Sequence, residues 1–128
     1  MTDRAFWVDG IPVTKGSWKV TRTGHLRPDN VRERPWANAV AWTAKSVGVQ
    51  PVDGPVTISI DCYYPSPKKP THAFPSRNDV DKAARSVLDA LKGIAWQDDQ
   101  QVVDLRVTKA FQGERGPGAW IRIVEVSK

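Results

Sequence analysis

The sequence predicts a small single domain, residues 1–128, of mixed α and β structure (α+β), in which a sheet of about four to five strands is packed by two helices. Two segments show helical periodicity, and one nine-residue segment alternates between two faces in the manner of a strand. A chain of 128 residues can bury one hydrophobic core without disulfides or a structural metal. The single cysteine, Cys62, excludes an internal disulfide and a cysteine-based zinc site.

The first half of the chain predicts a hairpin, a loop and a helix. Apolar residues within 5–13 flank Asp9-Gly10, a two-residue turn signal that predicts an opening β-hairpin. Residues 15–34 are polar and basic with scattered Gly and Pro, which predicts a long basic loop. Pro35 then opens a helix with apolar residues at helical spacing, and Gly48 ends it.

The second half predicts a strand, a second helix and two further strands. Residues 56–64 alternate as a half-buried strand does. Residues 79–92 carry apolar side chains at offsets 0, 3, 4, 7, 8 and 11, which is an amphipathic stripe, and Gly93 follows it. Residues 102–109 and 120–126 predict two more strands, joined by a glycine-rich turn.

Aspartates are concentrated in one short window of an otherwise basic chain. The chain carries a net charge of +5, whereas the window from 79 to 99 carries −2, so the rest carries +7. A carboxylate pocket in a basic surface suits a metal-dependent enzyme acting on a polyanion, because a divalent cation can sit between carboxylates and phosphates. The window contains Asp79, Asp81, Asp89, Asp98 and Asp99.

Three of these aspartates can meet in space. The helix after Asp81 is about 16 Å long, and six extended residues after Gly93 span about 20 Å. A chain that reverses at Gly93 can therefore place Asp99 level with the helix start, where Asp79 also lies. Asp98 should point to the other side in an extended stretch, so we expect only one of the pair to be a ligand.

The same residues also admit a purely structural interpretation. Asp79 and Asp81 can cap the helix and interact with its dipole, and Asp98-Asp99 can form a solvated turn. Asp81, Arg85 and Asp89 stand at successive i, i+4 positions and can form a surface ladder of ion pairs. The pattern alone supports a metal site and this structural interpretation equally.

The order of motifs from residue 79 to residue 109 is more specific. The motifs are Asp79-Val80-Asp81, then Val87-Leu88-Asp89-Ala90-Leu91-Lys92-Gly93, then Asp98-Asp99-Gln100-Gln101-Val102-Val103, and finally Lys109. Together they resemble the RusA family of endodeoxyribonucleases, which resolve Holliday junctions. Residues 10–16 also resemble the opening hairpin and basic segment of that family.

The resemblance implies a small mixed α/β fold, a homodimer and Mg²⁺-dependent cleavage of four-way DNA junctions, with Mn²⁺ expected to substitute and no organic cofactor. By motif position, the resemblance also implies that Asp79, Asp81 and Asp99 bind the metal. The chain departs from the family at two positions, with Lys82 where Asn is usual and Arg85 where Lys is usual. We expect Arg85 or Lys82 to take a catalytic role by neutralising charge that develops on the phosphate. Lys82 either supplies the missing ammonium or weakens metal binding.

Basic residues in two loops and on one strand are expected to contact the DNA backbone. Trp18, which lies among them, is compatible with a core position or with stacking on an unpaired base. The expected DNA-binding residues are Lys15, Lys19, Arg22, Lys68, Lys69, Arg77 and Lys109.

Two other classes of function stay open on the sequence. One is a non-catalytic protein that binds branched DNA, and the other is a metal-dependent phosphohydrolase of small nucleotides. The basic loops favour a long polyanion as the substrate. No segment is apolar enough for a membrane span or a signal peptide, so we expect no membrane partner and a cytoplasmic protein of a bacterium or a phage-infected host.

Overall fold

The computed structural model describes residues 3–13, 18–20, 24, 26–28, 33–69 and 71–126. This part is a small α+β fold with two main helices, as predicted. The elements are β1 (Asp3–Asp9), β2 (Trp18–Val20), β3 (Leu26–Pro28), α1 (Glu33–Ser46), β4 (Val56–Tyr64), α2 (Val80–Leu91), a short 3₁₀ helix (Asp99–Gln101), β5 (Val102–Phe111) and β6 (Gly118–Glu125). Within the described ranges, no helix is long and apolar enough to cross a membrane.

Four strands form one mixed sheet in the order β1-β6-β4-β5. β6 is antiparallel to both β1 and β4, whereas β5 is parallel to β4. Parallel strands need a crossover connection, and α2 supplies it between β4 and β5. Tyr64 pairs with Phe111, so the carboxyl ends of β4 and β5 lie at the same edge of the sheet. Crevices at such an edge are where sheets of this kind bind ligands.

The core lies between the sheet and the two helices. The predicted alternation of β4 is confirmed, because every second side chain from Val56 to Tyr64 is buried. The amphipathic stripe of α2 is also confirmed, with Ala83, Ala84, Val87 and Leu91 buried. Burial raises the pKa of the Cys62 thiol to about 12, so this side chain stays protonated as a core residue.

The predicted hairpin around Asp9-Gly10 is wrong. β1 pairs along its whole length with β6, from Asp3 opposite Val124 to Asp9 opposite Gly118, and residues 11–13 form no strand. Gly10 still turns the chain with a φ of 122°. The glycine marks a bend and not a hairpin, because β6 offers seven consecutive partners to β1 where residues 11–13 offer three at most.

The predicted long loop over 15–34 is also wrong in part. It contains β2 and β3, which pair with each other as a separate two-stranded sheet. Helix α1 begins at Glu33, two residues before Pro35, so that proline lies in the first turn, where its missing N–H costs nothing. Three-residue strands are too short to show the alternation by which β4 was recognised.

Candidate functional site

A groove between α2 and β5, hereafter the α2–β5 groove, gathers several of the predicted site residues. Asp81, Arg85 and Asp89 line it from one flank of α2, and Asp99 lines it from the 3₁₀ helix. Successive members of the α2 row are about 6 Å apart along the helix axis. The remaining walls are apolar and consist of Val80, Ala84, Leu88, Leu105 and Val107.

Asp79 occupies the N-cap position of α2 but does not cap the helix. Its side chain makes no cap hydrogen bond. Its Oδ2 atom instead lies 3.6 Å from Lys82 Nζ, and both side chains are exposed. The capping interpretation is therefore not borne out for this carboxylate, which remains available to a cation. Asp79 is not among the residues that line the α2–β5 groove.

The adjacent carboxylates of Asp98 and Asp99 have different partners. Asp98 caps the 3₁₀ helix, since its Oδ1 accepts from Gln100 N at 3.3 Å. Its own N–H donates to Gln101 Oε1 at 3.0 Å, which completes a capping box. Asp99 Oδ1 accepts from Trp96 Nε1 at 2.8 Å. Asp98 thus serves the local backbone, while Asp99 is held in the groove.

Two residues that the sequence analysis did not single out hold Asp99 in place. Trp96 is fully buried, so its indole N–H requires an acceptor, which Asp99 supplies. Gln101 Nε2 donates to the carbonyls of Val52 and Gly54 at 2.8 and 2.9 Å, which ties the 3₁₀ helix to the segment before β4. The signal in the sequence that could have indicated this contact is Trp96, which lies three residues before Asp99 in a turn.

The donor set suits a hard divalent cation only with help from solvent and substrate. Within the described residues, no group of three or more His, Cys, Asp or Glu side chains is arranged to hold a metal ion. Mg²⁺ is commonly bound by one or two carboxylates, with waters and substrate phosphates completing its shell. Asp81 and Asp99, which share the groove, fit that pattern. The three-carboxylate set with Asp79 stays a prediction.

Arg85 is not used in a surface ladder. In the described part of the chain it forms no ion pair with Asp81 or Asp89, although both are one helical turn away. Its side chain is exposed and lines the groove. A guanidinium in this position is free to pair with an anion that enters the groove.

Lys109 connects β5 to the start of α2. Its Nζ donates to the backbone carbonyl of Asn78 at 2.6 Å, and it lies 5.7 Å from the ring centroid of Phe74. Asn78 directly precedes Asp79. The ammonium therefore has internal partners and anchors the end of the loop from which α2 begins.

The other predicted DNA-binding residues differ in how much of each the structure describes. Lys68, Lys69 and Arg77 are exposed in the loop between β4 and α2. Lys15 and Arg22 lie outside the described residues. Lys19 lies in β2, as does Trp18, and their side chains are outside the description.

A small α+β domain with a carboxylate-lined groove beside an exposed basic loop is compatible with an enzyme that acts on phosphodiesters. The family model for the endodeoxyribonuclease RusA matches residues 9–124. The uncharacterized protein YqaN of Bacillus subtilis (strain 168) is 31% identical over 139 residues, which cover 95% of this chain and 96% of the relative. The chain belongs to the RusA endodeoxyribonuclease family. Membership implies an endodeoxyribonuclease and suggests nuclease activity on Holliday junctions.

Proposed function

We propose that this protein is a Mg²⁺-dependent crossover junction endodeoxyribonuclease that resolves four-way DNA junctions by paired phosphodiester hydrolysis, in DNA recombination and repair. The observation that carries the proposal is the α2–β5 groove, which gathers Asp81, Arg85 and Asp99 in a chain of the RusA family. Such an enzyme works where cellular or phage DNA is recombined, in the cytoplasm of a bacterial or phage-infected cell.

The carboxylates would hold the metal with help from solvent. Asp81 and Asp99 would bind Mg²⁺, and Asp79 would join them by exchanging its ion pair with Lys82 for the metal, with waters and a DNA phosphate completing the shell. Bound Mg²⁺ supplies an activated water and an electrophile for the phosphate, and Mn²⁺ is expected to replace it. The exposed, weakly held ion pair makes that exchange inexpensive.

The basic residues next to the carboxylates would stabilise the transition state. Arg85 would pair with the phosphate oxygens on which negative charge develops, because its guanidinium is permanently charged and otherwise unpaired in the described structure. Once released from Asp79, the Lys82 ammonium would share this role. Arg85 is too weak an acid to donate a proton, so the leaving oxygen would take its proton from solvent.

A homodimer would supply two such sites to a junction with approximate two-fold symmetry. β5 lies at one edge of the sheet and pairs only with β4 in the described part of the chain. It exposes 61% of Val103, whose side chain is not among those that line the α2–β5 groove. Apolar side chains on an edge strand are normally covered, and a second copy of this chain would cover them.

DNA would approach along the basic loop that precedes α2. Lys68, Lys69 and Arg77 are exposed there and would contact backbone phosphates, together with Lys15, Lys19 and Arg22 of the N-terminal segment. Such contacts position DNA without reading its sequence. Lys109 would contribute chiefly by anchoring this loop through Asn78.

Three substrates separate this proposal from its alternatives. The protein is incubated with a four-way junction, with a linear duplex of the same sequence and with a deoxynucleoside triphosphate, each with and without Mg²⁺. We expect paired, symmetric nicks in the four-way junction only when Mg²⁺ is present. The linear duplex and the nucleotide should stay intact under both conditions. Tight junction binding without cutting would instead identify a non-catalytic binding protein. Hydrolysis of the nucleotide would identify a phosphohydrolase.

A further inference from the structure

A second cleft, hereafter the loop cleft, lies at the carboxyl ends of the parallel strands β4 and β5. It is lined by residues of the segments 65–69 and 71–78 together with Ile11, Tyr64 and Phe111, and its volume is about 720 Å³. We propose that it binds one unstacked nucleobase of the DNA together with an adjoining phosphate. This inference rests on the proposed function, because it assigns a place to a nucleotide of the same substrate.

The loop cleft offers an exposed aromatic surface. Phe74 is 52% exposed, and the ring of His72 lies 5.5 Å from its ring, centroid to centroid. Lys109 Nζ lies over the Phe74 ring, 5.7 Å from its centroid, and so makes a cation–π contact with it. Any base can stack on such an exposed ring, because every base has a π-face.

The charge of the loop cleft favours an anionic partner. Lys69 and Arg77 line it, and no Asp or Glu is among the described residues that do so. Its lining nevertheless includes apolar and aromatic side chains, among them those of Tyr64, Pro65 and Phe111. A bare phosphate does not use apolar walls, and a plain aromatic does not use the two cations. A nucleotide presents a flat apolar face and a phosphate together, which matches both.

The position of the loop cleft places this nucleotide next to the bond that is cut. Asn78 lines the cleft and is fixed by Lys109 at 2.6 Å. Asp81 of the α2–β5 groove lies three residues further on, at most about 11 Å along an extended chain. Bases at a branch point lack a continuous stack and leave it at lower cost than bases inside a duplex. The loop cleft would therefore favour junctions over linear DNA.

A cycle of one substitution and one DNA change tests the proposal. Affinity is measured without Mg²⁺ for the wild type and Phe74→Ala, on an intact four-way junction and on one whose branch-point nucleotides lack their bases. We expect Phe74→Ala to weaken binding of the intact junction about 5- to 100-fold. The wild type should bind the abasic junction more weakly than the intact one by a similar factor. Phe74→Ala should bind the intact and the abasic junction with the same affinity.

Matched variants make the result specific. Phe74→Trp should retain the affinity, and Trp42→Ala, which removes an aromatic side chain that is 73% exposed on α1, should not change it. If Phe74→Ala melts early, His72→Ala replaces it in the same cycle. Equal losses on intact and abasic junctions, or no loss on either, would overturn the proposal. Cleavage with Mg²⁺ is measured separately. If the wild type cuts junctions but binds intact and abasic junctions equally well, only the proposal for the loop cleft is wrong. If it binds the intact junction more tightly than the abasic one but does not cut, only the proposed nuclease activity is wrong.

Discussion

Arg85 is the residue for which the structure argues most clearly against the surface ion-pair ladder. It lies one turn beyond Asp81 on α2, lines the groove and forms no ion pair in the described part of the chain. Because a guanidinium stays protonated at any working pH, it brings fixed positive charge into a groove that otherwise carries carboxylates. A phosphate held at the metal would be its natural partner.

Replacement of Arg85 should therefore affect turnover and not folding. Arg85→Ala should lower the single-turnover rate of junction cleavage about 10²-fold or more, with little change in affinity, since the lost interaction strengthens in the transition state. Arg85→Lys, which restores the residue usual in the family, should keep or raise the rate. A lower melting temperature with unchanged turnover in Arg85→Ala would show a structural residue instead.

Trp96 should act as a positioning residue for Asp99. Trp96→Phe keeps most of the buried volume but removes the N–H that donates to Asp99 at 2.8 Å. We expect unfolding free energy to fall by about 1–2 kcal/mol, and the Mg²⁺ concentration for half-maximal cleavage to rise several-fold because the carboxylate is no longer fixed.

Trp36→Phe is the matched control for Trp96→Phe. Trp36 is also buried, but its Nε1 has no hydrogen-bond partner among the described residues. Its substitution should leave the Mg²⁺ dependence unchanged. An equal shift in both variants would mean that the effect comes from core packing and not from Asp99.

At the scale of elements, local patterns predicted the helices and the central strand well. The stripe of α2 and the alternation of β4 are properties of consecutive residues, and both persist because one face of each element is buried. The partner of β1 was not predictable in this way. Its pairing with β6 joins residues more than a hundred positions apart, and the turn at Gly10 is compatible with either pairing.

The loop between β4 and α2 should bind the DNA backbone. The double substitution of Lys68 and Lys69 to Gln should weaken binding to any four-way junction and reduce the slope of log K against log salt by roughly one unit per lost contact. Lys45→Gln, in the last turn of α1, should change neither quantity. Unchanged affinity and slope in the double variant would move the DNA-binding surface to another part of the molecule.

At the scale of the whole molecule, the motifs predicted a set of candidate residues, and the structure brings only part of that set into one groove. The proximity argument brought Asp79, Asp81 and Asp99 together, whereas the structure gathers Asp81 and Asp99 in one groove and pairs Asp79 with Lys82. The predicted cluster and the observed groove differ because Asp79 forms an ion pair with Lys82 and because Asp99 lies in a 3₁₀ helix. Neither feature can be predicted from hydrophobic periodicity. Substrate and a second copy, which the motif pattern presupposes, would also reshape such a site.

Val103, which is exposed on β5 and does not line the α2–β5 groove, should mediate self-association. Val103→Lys should shift the protein towards monomer in sedimentation velocity, because it places a charge on the surface that a second copy would cover. Paired nicking should then give way to single nicks. Trp42→Lys, on α1, should leave the dimer intact. If Trp42→Lys dissociates the protein and Val103→Lys does not, the interface lies on α1.

The most direct test of the central claim compares cleavage of a four-way junction with Mg²⁺ by asparagine variants of four aspartates of the same window. Asp81→Asn should abolish paired cleavage while binding the junction as tightly as the wild type or more tightly, because it removes a metal ligand and relieves repulsion of phosphate. Asp79→Asn and Asp99→Asn should behave alike. Asp98→Asn should cut at close to the wild-type rate, since asparagine also caps a helix and the Asp98 carboxylate, among the described residues, bonds to the backbone of the 3₁₀ helix. Wild-type cleavage by Asp81→Asn would contradict the metal site and the proposed function with it.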